Sequence, residues 1–383
     1  MRRAEKILAH TFCFFFVAQI LSPMIGGRSI YIDFILVLFN PFFWLWLGRH
    51  RISINDLYVI FFLGIIAVLG NPTTSIKLIF TLIEMGYLFY LYDSKLWYVN
   101  RYIFVSVIVA LVQFYGLFFA PEISLMFSPE AISTSLWGPY AMVTNPNFYA
   151  LLDGGLPHVS GLSREAGFMA SLLLTGICVE YLFLKEGYWK PSKISKTLYI
   201  IGYIISFTKM SLLIVPVYLI QRFRRYIDII PIAIMLLFWL FVMTGLWSFY
   251  RDFLLEPSNL TFLHRFGAYE SLCHIDLESF LFGTEKLKDI DSFIAYTMDM
   301  DYEYFAGFGG WLITNGFLAG GTYFLLLWRL RVTSVGLLLL LLLTINVQVD
   351  TNQNFVVLTY FIVFQYYRFE KSRRDSFLDG GKI

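Results

Sequence analysis

Long apolar segments dominate this chain and restrict the folds open to it. A helix that crosses a membrane needs about 20 mostly apolar residues, and eleven segments approach that length. They lie at roughly 7–25, 30–48, 56–70, 75–92, 99–120, 166–184, 197–220, 228–249, 308–328, 332–348 and 354–368. The sequence therefore predicts an all-α, polytopic membrane helix bundle.

Composition excludes a soluble enzyme. Of the 383 residues, 58% are hydrophobic and only 15% are charged, whereas soluble domains have about 45–50% and about 25%. The net charge of +2 argues against bulk nucleic-acid binding. Three cysteines, two of them in apolar runs, indicate neither a disulfide framework nor a metal cluster.

Basic loops are expected on the cytoplasmic side, and this rule orients the segments. Arg2, Arg3 and Lys6 put the N-terminus inside, and the first apolar segment is expected to be retained in the protein. The basic run 221–225 returns inside only if the chain turns back within 197–220. The sequence thus predicts about 12 transmembrane helices, including a short-helix hairpin near 197–220, with both termini cytoplasmic. The alternative is one continuous helix there.

Two long loops, about 121–164 and 250–307, then lie on the outer side of the membrane. They are longer than ordinary connections and rich in aromatic residues, so short amphipathic helices at the outer membrane face are expected. No linker or repeat divides the chain, which predicts a single polytopic membrane domain over 1–383. A series of glycines between 307 and 321 predicts close packing or a bend in one helix.

The outer side carries few cations, and these lie beside the membrane. Arg164 ends the first loop, Lys209 lies at the hairpin tip, Arg251 follows segment 228–249 and Arg265 lies in the second loop. Such a group suits a lipid-linked phosphate or pyrophosphate, because arginine binds these anions through two hydrogen bonds. The alternative for each arginine is an interfacial anchor, whereas a lysine inside an apolar run is a functional candidate by default.

A general base for this chemistry is an outer-loop carboxylate or histidine near the cations. The candidates are Glu165, Asp301 and His264. Asp33, Glu84 and Glu180 also lie within or at the ends of apolar runs, and they fit a proton path in a transporter. Glu180 is alternatively explained as a cap of its helix near the cytoplasm. Asp33 is alternatively explained by a position at the wet end of its helix.

The order of these features resembles that in the O-antigen polymerase (Wzy) family, within the wider group that includes O-antigen ligases. The resemblance is carried, in chain order, by Arg164-Glu165 before a helix, the hairpin 206–211, Arg265 and Leu281-Phe282-Gly283 in the second loop, and Asp301 before the glycine-rich helix. Lys209 stands where the family usually has arginine. Asp301 stands where the ligases usually have histidine, which favours a polymerase.

The resemblance implies an inverting, metal-independent glycosyltransferase with a GT-C-like fold in the bacterial inner membrane. Its donor and acceptor are undecaprenyl-pyrophosphate-linked oligosaccharides, and no cofactor is expected. Arg164, Lys209 and Arg265 would bind the pyrophosphate at the periplasmic face. The implied partners are a chain-length regulator (a polysaccharide co-polymerase) and a flippase.

Three alternatives stay open at this point. One is an O-antigen ligase, and another is a transporter or flippase of lipid-linked oligosaccharide, which needs paired polar groups near the middle of the membrane. The third is a structural scaffold of an envelope complex.

Overall fold

A computed structural model describes most of the chain. The described residues are 3–26, 28–49, 54–92, 95–142, 158–186, 193–206, 208, 213–222, 260–272, 275–284 and 305–365. The helices among them are α1 Arg3–Val17, α2 Ile32–Leu38, α3 Pro41–Leu47, α4 Ile54–Leu69, α5 Pro72–Leu91, α6 Trp97–Phe119, α7 Pro121–Met126, α8 Pro129–Trp137, α9 Ala166–Glu186, α10 Lys193–Ile205, α11 Ile214–Arg222, α12 Leu260–Ser271, α13 Leu277–Phe282, α14 Gly307–Arg329, α15 Ser334–Leu343 and α16 Asn354–Gln365.

Three helices in the described part of the chain, α5, α6 and α14, are long and apolar enough to cross a membrane. Others, including α4, α15 and α16, are apolar but shorter. The predicted helical class is therefore confirmed, while the number of about 12 spans stays a prediction. The predicted span 228–249 lies outside the described residues.

The first predicted span, 7–25, is wrong at its C-terminal end. Helix α1 stops at Val17, and a 3-10 turn, Gln19–Leu21, follows it. A two-stranded antiparallel hairpin then pairs β1, Met24–Ile25, with β2, Arg28–Ser29. The described residues between α1 and α2 therefore form a 3-10 turn and a short hairpin in place of an α-helix, and they carry polar side chains.

The second predicted span, 30–48, is two helices rather than one. Pro41 has no N–H to donate, so helix α2 ends before it and α3 begins at it. Asn40 caps α3, since its side-chain oxygen accepts from the N–H groups of Phe42 and Phe43 at 3.0 and 3.3 Å. The amide of the same residue donates to the Tyr87 hydroxyl at 2.8 Å.

The chain also breaks within the predicted segment 197–220. Helix α10 ends at Ile205, and α11 begins only at Ile214. At the break the Ser206 hydroxyl donates to the Tyr203 carbonyl at 2.8 Å, a local bond that competes with helix continuation. One continuous helix over this segment is therefore wrong. The predicted hairpin tip with Lys209 lies outside the described residues.

The predicted span 332–348 is too long at its C-terminal end. Helix α15 ends at Leu343, and residues 344–353 are non-helical. From Thr344 to Asp350 polar and apolar residues alternate, a period that does not suit a helix. This interruption supplies polar side chains to the site described below.

The chain forms two compact units. The first comprises described residues of Met1–Arg51, Leu82–Ile214 and Gln353–Ile362, and the second those of Ile52–Thr81, Val215–Asn352 and Val363–Ile383. Within the first unit α1 packs on α2 and α6, and α10 packs on α6 and α9. Within the second, α14 packs against α4, α12 and α13. The short helices α7, α8, α12 and α13 fall in the two predicted outer loops.

The glycine-rich helix α14 is bent at Gly316, whose φ of +79° is not helical. A Cβ at Gly316 would lie 2.3 Å from the Leu281 carbonyl oxygen, and a Cβ at Gly283 would lie 2.4 Å from that of Thr314. The Thr284 N–H donates to the Ile313 carbonyl at 2.9 Å. The Leu281-Phe282-Gly283 motif therefore docks by its backbone on the bend, which confirms the packing and bending predicted for these glycines.

Replacing Gly316 by alanine should destabilise the protein by about 2 kcal/mol or more, because the residue has a left-handed φ and its Cβ would overlap backbone. The thermal unfolding midpoint of detergent-purified protein measures this. Gly321→Ala is the matched control, since a Cβ there meets nothing within 4 Å and alanine favours helix. Equal midpoints for the two variants would contradict the docking.

Candidate functional site

Arg164 follows a turn that is fixed on helix α6 by the buried side chain of Gln113. Its amide nitrogen donates to the Gly161 carbonyl at 3.0 Å, and its oxygen accepts from the N–H groups of Gly161 and Ser160 at 2.9 and 3.3 Å. The Ser106 hydroxyl accepts from the Leu162 N–H at 2.9 Å. These bonds fix the backbone just before Arg164.

Glycine is required at position 161 of this turn. Gly161 has a φ of +57°, and a Cβ there would lie 2.5 Å from the Ser106 carbonyl oxygen. The turn thus lies directly on the α6 backbone, a distance that only glycine allows.

Two serine hydroxyls of the turn are buried without a hydrogen-bond partner among the described residues. They belong to Ser160 and Ser163, which are 2% and 4% exposed. A buried hydroxyl without a partner costs roughly 1–3 kcal/mol. Arg164 itself is only partly buried. The turn therefore offers two hydroxyl donors beside one guanidinium, a combination that suits an anion.

The turn meets the non-helical segment that follows α1. The Ile20 N–H donates to the Leu162 carbonyl at 3.4 Å, and Tyr31 packs against the apolar cluster that contains both residues. Arg164 lies within electrostatic reach of the Tyr31 hydroxyl. The same hydroxyl accepts from the Gln353 amide at 2.7 Å.

Two carboxyl groups lie in this region of the first unit. Asp33 and Glu84 are each 0% exposed, and both act electrostatically on the Tyr31 hydroxyl. The Gln19 amide faces Asp33 Oδ2 at 3.5 Å, and Gln19 Oε1 accepts from the Asn354 N–H at 3.2 Å. The expectation that Asp33 lies at the wet end of its helix is therefore wrong, because this side chain is enclosed.

The second unit holds the other described cation of the predicted site, Arg265 on α12. Its Nε and Nη2 donate to Asn346 Oδ1 at 3.1 and 2.5 Å. This contact orients the guanidinium. Asn346 belongs to the alternating segment, and so does Gln348, whose amide faces the Phe305 carbonyl at 3.4 Å.

His264 lies next to Arg265, and its carbonyl accepts from the Ala306 N–H at 2.9 Å. Burial, helped by the neighbouring guanidinium of Arg265, lowers the pKa of the imidazole to about 4. The ring is thus neutral at neutral pH and has a free lone pair for accepting a proton, although its basicity is low.

Asp350, on the same segment as Asn346, is 1% exposed. Burial raises the pKa of its carboxyl group, while Lys77 and Thr74 act in the opposite direction. The Thr81 hydroxyl donates to the Asp350 carbonyl at 3.4 Å. The second unit therefore holds a protonatable carboxyl that was not among the residues predicted from sequence.

The predicted site residues divide into three groups. Arg164 and Glu165 lie in the first unit, where both are partly buried, and His264 and Arg265 lie in the second. Lys209, Arg251 and Asp301 lie outside the described residues. The supporting polar residues that sequence reasoning missed are Gln19, Tyr31, Asn346, Asp350 and Gln353. The alternation of polar and apolar residues between 344 and 350 is a sequence pattern from which Asn346 and Asp350 could have been predicted.

No protein-family model, curated protein or solved structure matches this chain. Within the described ranges, no group of three His, Cys, Asp or Glu side chains has a geometry suited to a metal ion.

Acid should destabilise the protein partly through His264. The folded protein keeps this imidazole neutral down to about pH 4, whereas the unfolded chain takes up a proton near pH 6.5. The unfolded state therefore binds more protons between these values, and stability falls as the pH falls through that window. In His264→Gln, the unfolding midpoint should depend less on pH between about 6.5 and 4. If the unfolding midpoint depended on pH in the same way in wild type and in His264→Gln, the buried environment of His264 would be contradicted.

Proposed function

We propose that this chain is a membrane glycosyltransferase of the O-antigen polymerase type. It transfers an oligosaccharide from undecaprenyl pyrophosphate to the non-reducing sugar of another lipid-linked repeat unit, at the periplasmic face of the inner membrane. The resemblance in motif order described above is the source of this substrate class. A chain-length regulator and a flippase are the partners that such a polymerase needs.

The observation that best supports the proposal is the turn before Arg164. Its backbone is held rigidly by Gln113, and it combines a partly exposed guanidinium with the buried hydroxyls of Ser160 and Ser163. Fixed donors aimed at developing negative charge stabilise a leaving group without reorganisation. A departing pyrophosphate is a ligand that can accept hydrogen bonds from a guanidinium and from hydroxyl groups.

The environment of Arg265 is consistent with the same role. The Asn346 amide holds the Arg265 guanidinium through Nε and Nη2, and an oriented guanidinium binds an anion through charge-assisted hydrogen bonds.

The proposed reaction is a direct displacement. The acceptor hydroxyl loses its proton to a base, its oxygen attacks the anomeric carbon, and the bond from that carbon to the pyrophosphate oxygen breaks with inversion. The electron pair leaves with the lipid pyrophosphate, whose charge the cations stabilise. Glu165 and His264 are the described candidates for the base, and Asp301 is the third.

Purified protein should extend lipid-pyrophosphate-linked repeat units into a ladder in the presence of EDTA and without nucleotide. Arg164→Ala and Arg265→Ala should each lower the rate by about 100-fold or more, since one charge-stabilising donor is worth roughly 3–4 kcal/mol. Gel analysis of the lipid-linked products measures both effects.

Arg222→Ala is the matched control, because Arg222 is an exposed arginine on the predicted cytoplasmic side. A full ladder from both site variants would refute the proposal. Transfer only to added lipid A core would identify a ligase instead. A structural scaffold would give no transfer in any variant.

Ser163→Ala should separate activity from stability. Removal of a buried hydroxyl that has no partner should leave the unfolding midpoint unchanged or raise it, while binding of undecaprenyl pyrophosphate weakens by about tenfold. Ser106→Ala should instead lower the midpoint, because that hydroxyl accepts the Leu162 N–H. A Ser163→Ala protein that is less stable but binds normally would show that the hydroxyl has only a structural role.

Transport of lipid-linked oligosaccharide is a second candidate, favoured by the complete burial of Asp33 and Glu84. Ionisable groups enclosed in an apolar helical protein often mark a proton or substrate path. Vesicles carrying a fluorescent lipid-linked oligosaccharide distinguish the two functions. A transporter moves the lipid between leaflets without lengthening its glycan, and a polymerase lengthens it.

A further inference from the structure

The carboxyl group of Asp33 is enclosed, and one of its oxygens has no described partner. The side chain is 0% exposed, Oδ2 faces the Gln19 amide at 3.5 Å, and Oδ1 accepts no hydrogen bond from the described residues. Leaving such an acceptor unsatisfied costs roughly 1–3 kcal/mol, and more when it is charged. A ligand that donates a proton or hydrogen bond to Oδ1 removes this penalty.

The surroundings of Asp33 are of the kind that bind hydroxyl groups. Gln19, Tyr31 and Gln353 carry amide and hydroxyl groups, which both donate and accept hydrogen bonds. Gln353 already donates to the Tyr31 hydroxyl, and Gln19 is oriented by the Asn354 N–H. Planar polar side chains held in place by other bonds are suited to recognising a sugar hydroxyl.

This polar group has a partly exposed edge next to Arg164. Tyr31 and Arg164 are both partly buried rather than enclosed, and the guanidinium lies within electrostatic reach of the Tyr31 hydroxyl. Asp33 acts on the same hydroxyl. A cation and a carboxyl group therefore both lie within electrostatic reach of the Tyr31 hydroxyl.

We infer that Asp33 is the general base of the transferase, with Oδ1 taking the proton of the acceptor hydroxyl. The inference rests on the proposed function and names a residue outside the three candidates predicted from sequence. The proton moves from the hydroxyl oxygen to Oδ1 as that oxygen forms the new bond to the anomeric carbon. The bond from the anomeric carbon to pyrophosphate breaks, and its electron pair leaves with the lipid pyrophosphate beside Arg164.

The two described candidates predicted from sequence fit this role less well. Burial lowers the pKa of His264 to about 4, so its imidazole loses the advantage that histidine ordinarily has over a carboxylate as a base. Glu165 is partly exposed, so water competes for its carboxylate. Asp33 combines enclosure with an unsatisfied acceptor atom, and Arg164 lies within electrostatic reach of the same Tyr31 hydroxyl on which Asp33 acts.

The test compares wild-type protein with Asp33→Asn, Asp33→Glu and Glu180→Gln in the polymerisation assay, together with binding of undecaprenyl pyrophosphate. Removal of a general base should lower kcat by about 100-fold or more, with little change in lipid binding. Asp33→Glu should recover part of kcat, because it restores a carboxylate. Glu180→Gln is the matched control. Glu180 is a buried carboxylate of the same unit, 6% exposed, whose oxygen already accepts from the Ser195 hydroxyl.

Each outcome decides between the two proposals. A ladder from wild type and an equal ladder from Asp33→Asn would overturn the role of Asp33 and leave the polymerase intact. Parallel loss of lipid binding and activity in Asp33→Asn, with no recovery in Asp33→Glu, would assign the residue a purely structural role. Absence of any ladder from folded wild-type protein would overturn both proposals together.

Discussion

The described structure depends on amide side chains that hydrogen-bond non-helical backbone in an apolar chain. Where a helix stops, its free N–H and C=O groups have no water to bond, so a side chain has to satisfy them. Asn40 does this at the α2–α3 break and Gln113 at the turn before Arg164. Asn354 bonds the carbonyl of Phe16. Asn315 accepts the Asn71 N–H at 3.2 Å. At each of these helix breaks, hydrogen bonds to an amide side chain therefore fix the backbone conformation.

Amide side chains also hold the arginines of the candidate sites in place. The Asn346 amide orients the Arg265 guanidinium directly. Gln113 acts through the backbone instead, because it fixes the turn that precedes the partly buried Arg164. Rigid placement of a cation is an arrangement that favours binding of an anion.

The sequence predicted what depends on composition and local pattern, and it failed where single polar residues break a helix. Helices α4, α5, α6 and α9 match their apolar segments closely, and α14 matches in extent although it bends at Gly316. The end of α1 at Val17 and the role of Gln19 depend on Leu162 and Asn354, which are distant in sequence. The enclosure of Asp33 is likewise a tertiary effect, since its neighbours along the chain suggested a wet helix end.

The bond between Tyr31 and Gln353 joins residues 322 positions apart, and this separation has a consequence for biogenesis. At about 5–20 residues per second, the ribosome makes Tyr31 and Gln19 roughly 15–65 s before their partners at 353 and 354 exist. During that interval the N-terminal polar segment lacks these partners. Its final hydrogen bonds therefore form only after almost the whole chain has been made, so a chain that ends before residue 353 cannot complete the structure around Tyr31 and Gln19.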